Sequence, residues 1–134
     1  MLFRSGTLVK RSRTEIERDI GNYSLVEHDG VIFACAALYP YPEAKTGEMA
    51  AVTVSPQSQG QGDGEKLLKR IEQRARAAGL QSIFVLTTRT MHWFLKRGFE
   101  VVPPEWLPEA RKRKYNWDRK SQVLVKKQIG RAHV

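Results

Sequence analysis

The sequence predicts an α+β fold: a mixed, mostly antiparallel sheet with a central parallel strand pair and flanking helices. Two patterns predict it, a hairpin meander in the first half of the chain and a strand–helix–strand crossover in the second. In the meander, β-rich runs at 23–27 and 31–39 flank an Asp29-Gly30 turn, and a third run at 48–54 follows a proline-containing loop at 40–47. Strands joined by such short turns are antiparallel.

The crossover starts from the third strand. A helical pattern at 64–78 is followed by Gly79, a typical helix C-terminus, and by an apolar run at 82–88. The predicted apolar face of the helix consists of Leu67, Leu68, Ile71, Ala75 and Ala78. Because a strand–helix–strand connection joins parallel strands by a right-handed crossover, the strands at 48–54 and 82–88 are predicted to be parallel.

Shorter signals predict the remaining elements. A capping-box pattern at 12–15 predicts a helix that ends near Gly21. Further along, the patterns predict a short helix at 90–97, strands at 99–102 and 121–126, and an irregular segment with one helical turn at 103–118.

Length and composition favour one globular domain over residues 1–134, with 41% apolar residues. No apolar run approaches the ~18–20 residues of a membrane span, so no membrane association is expected. The first residues, MLFRSG, lack the longer apolar region of a secretory signal. The single cysteine, Cys35, excludes an intrachain disulfide and is expected to fill space in the core. These features predict a protein of the reducing cytoplasm.

The net charge of +9 has two readings, because a basic surface binds either nucleic acid or a polyanionic small molecule. The excess of positive charge is concentrated at 107–134, a segment with nine Lys or Arg residues and two acidic residues. No nucleic-acid motif accompanies them, so specific nucleic-acid binding is not expected. Most of the basic run at 111–114 is interpreted as a solvated helix face.

The stretch VTVSPQSQGQGDGEKLL at 52–68 joins a strand, a glycine-rich loop and a helix. Glycine tolerates positive φ, so Gly60, Gly62 and Gly64 suit a nest of backbone N–H groups at a helix N-terminus, which binds anionic oxygens. The stretch is not a Walker loop, because no Lys-Ser or Lys-Thr follows the last glycine, and its spacing is not that of the dinucleotide fingerprint. An ordinary glycine-rich turn is the alternative interpretation.

The pattern Gln-x-x-Gly-x-Gly in this stretch, with Ser-Pro before it and Leu-Leu after it, resembles the acetyl-CoA loop of the GCN5-related N-acetyltransferases (GNAT). The resemblance implies acetyl-CoA as co-substrate, with no metal. Its cofactor-binding residues are then Val52, Thr53, Val54, Gln59, Gly60, Gln61, Gly62, Asp63, Gly64 and Glu65. In this family the parallel strands splay apart, and their free backbone groups bond the pantetheine arm, here beyond Val54 and Thr87.

One departure from the family concerns the general acid. The usual tyrosine, four residues before the Gly-Phe that follows the short helix, is replaced by Phe94, which has no proton to donate. Thr87 and Thr88 supply the nearest hydroxyls, and water or His92 are the alternatives.

Longer strings narrow the resemblance. ACAALYPYPEAKTGEMAAVTVSP (34–56), FVLTTRTMHWFLKRGF (84–99) and LPEARKRKYNWDRKSQVL (107–124) are similar to the C-terminal acetyltransferase domain of the bacterial N-acetylglutamate synthases. With LVKRSRTEIERDI at its start, the similar region covers about 8–127. The resemblance implies acetylation of the α-amine of L-glutamate, the first step of arginine biosynthesis.

It places a catalytic carboxylate on Glu48 and a catalytic hydroxyl on Thr87. The glutamate-binding residues that it implies are Arg11, Arg111, Arg119 and Ser121. Arginine suits a substrate with two carboxylates, because its guanidinium binds carboxylates through two parallel hydrogen bonds.

The chain also lacks parts of the family pattern. Nothing in it corresponds to the arginine-sensing, amino-acid-kinase-like domain or to the first strand and helix of the superfamily. Residues 1–7 and 129–134 match nothing in the family and are expected to be disordered or added ends. A sheet without its first strand exposes an edge, so a homodimer is an expected assembly. The alternatives are acetylation of another amine, such as a protein N-terminus, or a non-catalytic module that binds acetyl-CoA or nucleic acid.

Overall fold

The fold is described from a computed structural model, which covers residues 20–56, 62–87 and 89–127. Arg11, most of the helix predicted from residue 12 and Thr88 lie outside these ranges, as does the loop at 57–61. The strands are β1 (Tyr23–His28), β2 (Val31–Tyr41), β3 (Thr46–Val54), β4 (Ser82–Thr87), β5 (Glu100–Val102) and β6 (Gln122–Lys127). The helices are α1 (Asp63–Ala77), α2 (Met91–Leu95) and α3 (Glu109–Lys112), with single 3-10 turns at Ile20–Asn22, Pro42–Ala44 and Pro104–Trp106.

The strands form one mixed sheet in the order β1-β2-β3-β4-β6-β5. The pairs β1/β2, β4/β6 and β5/β6 are antiparallel, whereas β3 and β4 are parallel, with Thr46–Glu48 opposite Ser82–Phe84. The predicted fold class is therefore confirmed, and the parallel pair lies where the crossover pattern put it.

The chain divides into two compact units, Met1–Tyr39 with Met49–Arg74, and Pro40–Glu48 with Ala75–Val134. A single domain over 1–134 remains a prediction. In the first unit, Leu67, Leu68 and Ile71 of α1 are buried, as the helical pattern predicts. The Arg74 guanidinium on the same helix donates to the Tyr23 carbonyl at 2.8 Å and the Ser24 hydroxyl at 3.0 Å. These bonds fix α1 to the first strand.

The core of the second unit is aromatic and aliphatic. It is built from Phe84, Leu107, Tyr115, Val123 and Val125, with Tyr41, Leu86, Val102 and Trp106 packed against it. The Phe84 ring lies 6.1 Å from the Tyr41 ring and 5.7 Å from the Trp106 ring, between centroids. This cluster supports β4, which ends at Thr87, and β6, which begins directly after Ser121.

Glycine ends both of the longer helices in the same way. After α1, Leu80 N–H bonds the Ala75 carbonyl at 2.9 Å and Gly79 N–H bonds the Arg76 carbonyl at 3.0 Å, with Gly79 at φ 80°. This is a Schellman motif, which needs a left-handed residue after the helix. Gly98, at φ 96°, closes α2 with the same bonding pattern.

Three details of the predicted elements are wrong. Strand β2 runs through Pro40 to Tyr41, because a proline lacks only the N–H donor and is tolerated where the ladder does not need that group. Strand β3 starts at Thr46 rather than Glu48, since the hydroxyls of Thr46 and Ser82 bond at 2.8 Å and join it to β4 two residues earlier. Ala78 is exposed because α1 ends at Ala77, leaving Ala78 in the capping turn.

Candidate active site

The glycine-rich loop enters α1 in the first compact unit. Gly62 has φ 82°, the left-handed conformation that glycine adopts at little cost, as the predicted anion loop requires. Its carbonyl accepts the Lys66 N–H at 3.0 Å in the first turn of the helix. Gln59, Gly60 and Gln61 lie outside the described residues, so their part of the predicted loop is not tested. Gly64 and Glu65 lie in the first turn of α1, where free N–H groups and the helix dipole favour anions.

Asp63, the first residue of α1, has an unusual environment. It is only 1% exposed, and its Oδ1 lies 3.2 Å from His28 Nε2. Its Oδ2 is buried without a hydrogen-bond partner in the part of the chain that the structure describes. The His28 ring also stacks against Phe33, at 5.1 Å between centroids. No sequence pattern indicates the His28–Asp63 contact, whose partners are 35 residues apart.

Val52, Thr53 and Val54 lie in the second half of β3, and the two valines are buried. Ala51, just before them, has φ 55°, a conformation that costs a non-glycine residue about 1–3 kcal/mol and is common at functional sites. Burial raises the pKa of the Cys35 thiol, and a hydrogen bond from Thr53 lowers it in part. Cys35 is thus a partly buried residue, in keeping with the predicted core role. The splaying of the strands and the pantetheine contact remain predictions.

Glu48 and Arg111 are in direct contact in the second unit. Arg111 Nε donates to Glu48 Oε1 at 2.7 Å, and its Nη2 donates to Oε2 at 3.4 Å. The Glu48 side chain is 11% exposed, and the Arg111 side chain is 18% exposed. Glu48 lies on β3, opposite Phe84 of β4, and Arg111 lies on α3. The sequence assigned both residues to one site but did not predict that they bind each other.

Thr87 ends β4 opposite Gln122 of β6 and is 8% exposed. Its hydroxyl oxygen accepts the backbone N–H groups of Arg89 at 3.2 Å and Thr90 at 3.0 Å. The hydroxyls of Thr87 and Thr90 are 2.8 Å apart. Two N–H donors occupy both lone pairs of this oxygen and fix its position, so the Thr87 hydroxyl is the donor in its contact with Thr90. Thr90 is a residue that the sequence analysis missed, although a second hydroxyl three residues after Thr87 was a visible signal.

Ser121 precedes Gln122 and therefore lies at the same end of the sheet as Thr87. Its carbonyl accepts the Tyr115 hydroxyl at 2.6 Å, so a buried tyrosine holds this segment in place. Arg119 is exposed, and its backbone N–H bonds the Asn116 side chain at 3.2 Å in a tight turn. The structure thus brings Thr87 and Ser121 to one end of the sheet and leaves the Arg119 side chain in solvent.

Tyr41 is a second residue that the sequence did not single out. Burial raises the pKa of its phenol, the negative charge of Glu48 raises it further, Arg111 lowers it and Glu43 raises it. Tyr41 therefore lies within electrostatic reach of the Glu48–Arg111 pair. Its apolar neighbours in the sequence gave no indication of this.

Phe94, at the position of the usual tyrosine, is 3% exposed. Its ring packs edge-on against Phe99, at 5.1 Å between centroids, across the turn that ends α2. This hydrophobic contact is the usual companion of a Schellman cap, so Phe94 has a structural role here. His92, the alternative proton donor, is exposed.

Within residues 20–56, 62–87 and 89–127, no group of three or more His, Cys, Asp or Glu residues is placed to hold a metal ion. None of the helices in these ranges has the length and apolar character needed to cross a membrane.

Residues 4–99 match the profile of the Acetyltransferase (GNAT) family, which is more than half of the chain. The chain belongs to this family. It is 63% identical over 122 residues to an amino-acid acetyltransferase of Ralstonia nicotianae, covering 91% of this chain and 27% of the relative. It is 54% identical over 121 residues to the enzyme of the same name from Azotobacter vinelandii, covering 90% and 28%.

Solved structures agree with these matches. The N-acetylglutamate synthase from Neisseria gonorrhoeae, complexed with coenzyme A and N-acetyl-glutamate, superposes with a TM-score of 0.86 at 43% identity. That match covers 92% of this chain and 29% of the synthase. The same synthase complexed with coenzyme A and L-arginine gives a TM-score of 0.81. The chain therefore spans less than a third of the length of these relatives, and the GNAT fold predicted from the sequence is confirmed.

Proposed function

We propose that the chain transfers the acetyl group of acetyl-CoA to the α-amine of L-glutamate. The observation that carries the proposal is the buried Glu48 carboxylate in contact with the Arg111 guanidinium, since it joins a proton acceptor to a carboxylate-binding group. The relatives support it, because they include amino-acid acetyltransferases and a synthase bound to coenzyme A and N-acetyl-glutamate.

The proposed reaction has three proton transfers, two from the substrate nitrogen and one to the sulfur of coenzyme A. Glu48 accepts a proton from the ammonium group of glutamate, directly or through water, and the free amine attacks the thioester carbonyl carbon. The nitrogen of the tetrahedral intermediate loses its second proton to water, the carbon–sulfur bond breaks, and the departing thiolate takes a proton. The buried Thr87 hydroxyl is the proposed donor, in place of the tyrosine that Phe94 replaces, and it regains a proton from water. The products are N-acetylglutamate and coenzyme A.

Substrate and cofactor binding are assigned to separate groups. Arg11, Arg111, Arg119 and Ser121 are proposed to bind the two carboxylates of glutamate. The segment from Gln59 to Glu65, with the β3 residues 52–54, is proposed to bind acetyl-CoA. The left-handed Gly62 at the start of the 15-residue helix α1 supports the second assignment.

The test is release of coenzyme A from acetyl-CoA over a panel of amino acids and peptides. We expect turnover with glutamate, less with glutamine or aspartate, and none with peptides. A preference for a peptide N-terminus would replace the proposal with its main alternative.

Arg119→Ala should raise the KM for glutamate by roughly 10-fold to 100-fold, as expected for loss of a charge-assisted pair. An unchanged KM would remove Arg119 from the substrate site.

A cytoplasmic location and a homodimer complete the proposal. Acetyl-CoA and free glutamate as substrates, with a single cysteine in the chain, suit a reducing compartment. The dimer is suggested by β1, the terminal strand of the sheet in the described part of the chain, on which Leu25 is exposed. Sedimentation of the 134-residue chain at micromolar concentration measures the assembly, and a purely monomeric species would exclude the dimer.

A further inference from the structure

The carboxylate of Glu48 and the guanidinium of Arg111 are hydrogen-bonded to each other. One N–H of Arg111 lies on each oxygen of the Glu48 carboxylate, at 2.7 Å and 3.4 Å. Both side chains are more than four-fifths buried, so water offers little replacement for these bonds. Each oxygen keeps a second lone pair, but an ammonium group that approaches it meets the positive charge of the guanidinium on the same carboxylate, and this repulsion opposes proton transfer to Glu48 until Arg111 moves away.

The chemistry of the guanidinium determines what can displace it. Arginine carries five N–H donors in a planar fork, and a second carboxylate matches this fork as well as Glu48 does. Exchange of one carboxylate for another replaces one charge-assisted pair with a similar one. An amine without a carboxylate has nothing to offer the guanidinium, and it would leave Arg111 buried without a partner, which is costly.

We propose that Arg111 is a specificity latch on Glu48, holding the base until a carboxylate of the incoming amino acid takes the guanidinium over. This inference rests on the proposed function, because it treats Glu48 as the base that activates the substrate amine. It adds to that function a reason for selectivity. Arg111 not only binds a carboxylate-bearing substrate but also withholds the base from amines that lack a carboxylate.

The latch predicts opposite effects of one variant on two substrates. The substrates are L-glutamate and its diamide, which keeps the α-amine but has no carboxylate. In Arg111→Met, kcat/KM for glutamate should fall, whereas kcat/KM for the diamide should rise by roughly 10-fold to 100-fold, the factor that a released charge-assisted hydrogen bond gives. The control is Arg113→Met, the same change at an exposed arginine two residues along the chain, which should alter neither value.

The outcomes separate the latch from simple carboxylate binding. If Arg111 only binds the substrate, Arg111→Met lowers glutamate turnover and leaves the diamide unchanged, which overturns the latch while the proposed function stands. If the wild-type chain acetylates the diamide as well as glutamate, the latch is overturned too. If the wild-type chain acetylates some amines but not glutamate, the proposed function fails, and the latch, which rests on it, fails as well.

A measurement on the wild-type chain covers the case in which Arg111→Met does not fold. The Nε–H resonance of Arg111 is assigned through bonds by NMR and followed during titration without acetyl-CoA. Saturating glutamate should shift this resonance, because the bond to Glu48 is exchanged, and the diamide should not. A glutamate titration that moves the Ser121 amide but leaves the Arg111 Nε–H in place would overturn the latch. If glutamate moves no resonance, the proposed substrate and the latch both fall.

Discussion

Two buried carboxylates of this chain are held in different ways. Glu48 has a guanidinium N–H on each of its oxygens. Asp63 has one oxygen bonded to a half-exposed histidine and a second oxygen that lacks a partner among the described residues. Burying a carboxylate is costly unless it is compensated. Among the described residues, the compensation for Glu48 comes from one side chain, whereas Asp63 also lies at the positive end of α1, where the helix dipole stabilises it.

The two carboxylates differ in how far each depends on its partner. Removal of Arg111 takes away the guanidinium that compensates Glu48 in the described part of the chain, so the pair should behave as a unit. Asp63 keeps the contribution of its helix when His28 is removed.

The largest effect concerns catalysis by Glu48. Glu48→Gln keeps the shape of the side chain and removes the proton acceptor, so kcat for glutamate should fall by roughly 10²–10⁴-fold, the range for loss of a general base. Steady-state kinetics at saturating acetyl-CoA measures this. Glu109→Gln, the same change at an exposed glutamate, is the control and should leave kcat unchanged. A normal kcat in Glu48→Gln would show that the base is another group.

The second prediction concerns stability. Arg111→Met leaves Glu48 as a buried charge without its partner, and breaking a buried pair costs about 3–5 kcal/mol, with the lower end expected because Arg111 is 18% exposed. The double variant Glu48→Gln/Arg111→Met should recover much of this loss, because it removes both charges. Urea unfolding of the wild type, the two single variants and the double variant gives the coupling energy between Glu48 and Arg111. A double variant as unstable as the sum of the single ones would contradict the interpretation.

The third prediction is the matching cycle for the other carboxylate. His28→Ala should lower the free energy of unfolding by no more than about 1 kcal/mol, because the histidine side chain is 42% exposed and Asp63 retains its helix dipole. The coupling between His28→Ala and Asp63→Asn should be smaller than the Glu48–Arg111 coupling. A larger coupling would mean that His28, rather than the helix, compensates Asp63.

The sequence predicted the strands, their parallel pair and the helix-ending glycines, because these depend on local periodicity and turn chemistry. Gly79 and Gly98 are examples, since each supplies a positive φ that its capping turn requires. Pro40 and Ala78 were misplaced by the same local rules, which do not account for ladder bonds or the position of the last helical residue.

The sequence did not predict which side chains bind each other. Glu48 and Arg111 were both assigned to the site, but they are 63 residues apart, and no spacing rule says that they bind each other. The same holds for His28 and Asp63. Tyr41 was missed for a related reason, because its environment is created by Glu48 and Arg111 after folding.

The smallest expected effect is on the titration of Tyr41. Burial raises the pKa of its phenol above 10.0, the charge of Glu48 adds to this rise, and Arg111 opposes it. The folded state therefore favours the neutral phenol, so the stability that Tyr41 contributes is present below pH 10 and is lost as the pH rises through the folded pKa. Glu48→Gln should lower the pKa of Tyr41, since one cause of the rise is removed.

Arg111→Met should raise the pKa of Tyr41, because it removes the positive charge that, among the described residues, lowers this pKa. His28→Ala should not change it. NMR of selectively ¹³C-labelled tyrosine follows the phenol between pH 9 and the onset of alkaline unfolding, with Tyr41→Phe to assign the signal. Shifts in opposite directions for the Glu48 and Arg111 variants would place both charges beside Tyr41 in solution. Shifts in the same direction would mean that one of these side chains lies elsewhere, and the arrangement from which the latch was inferred would then be wrong.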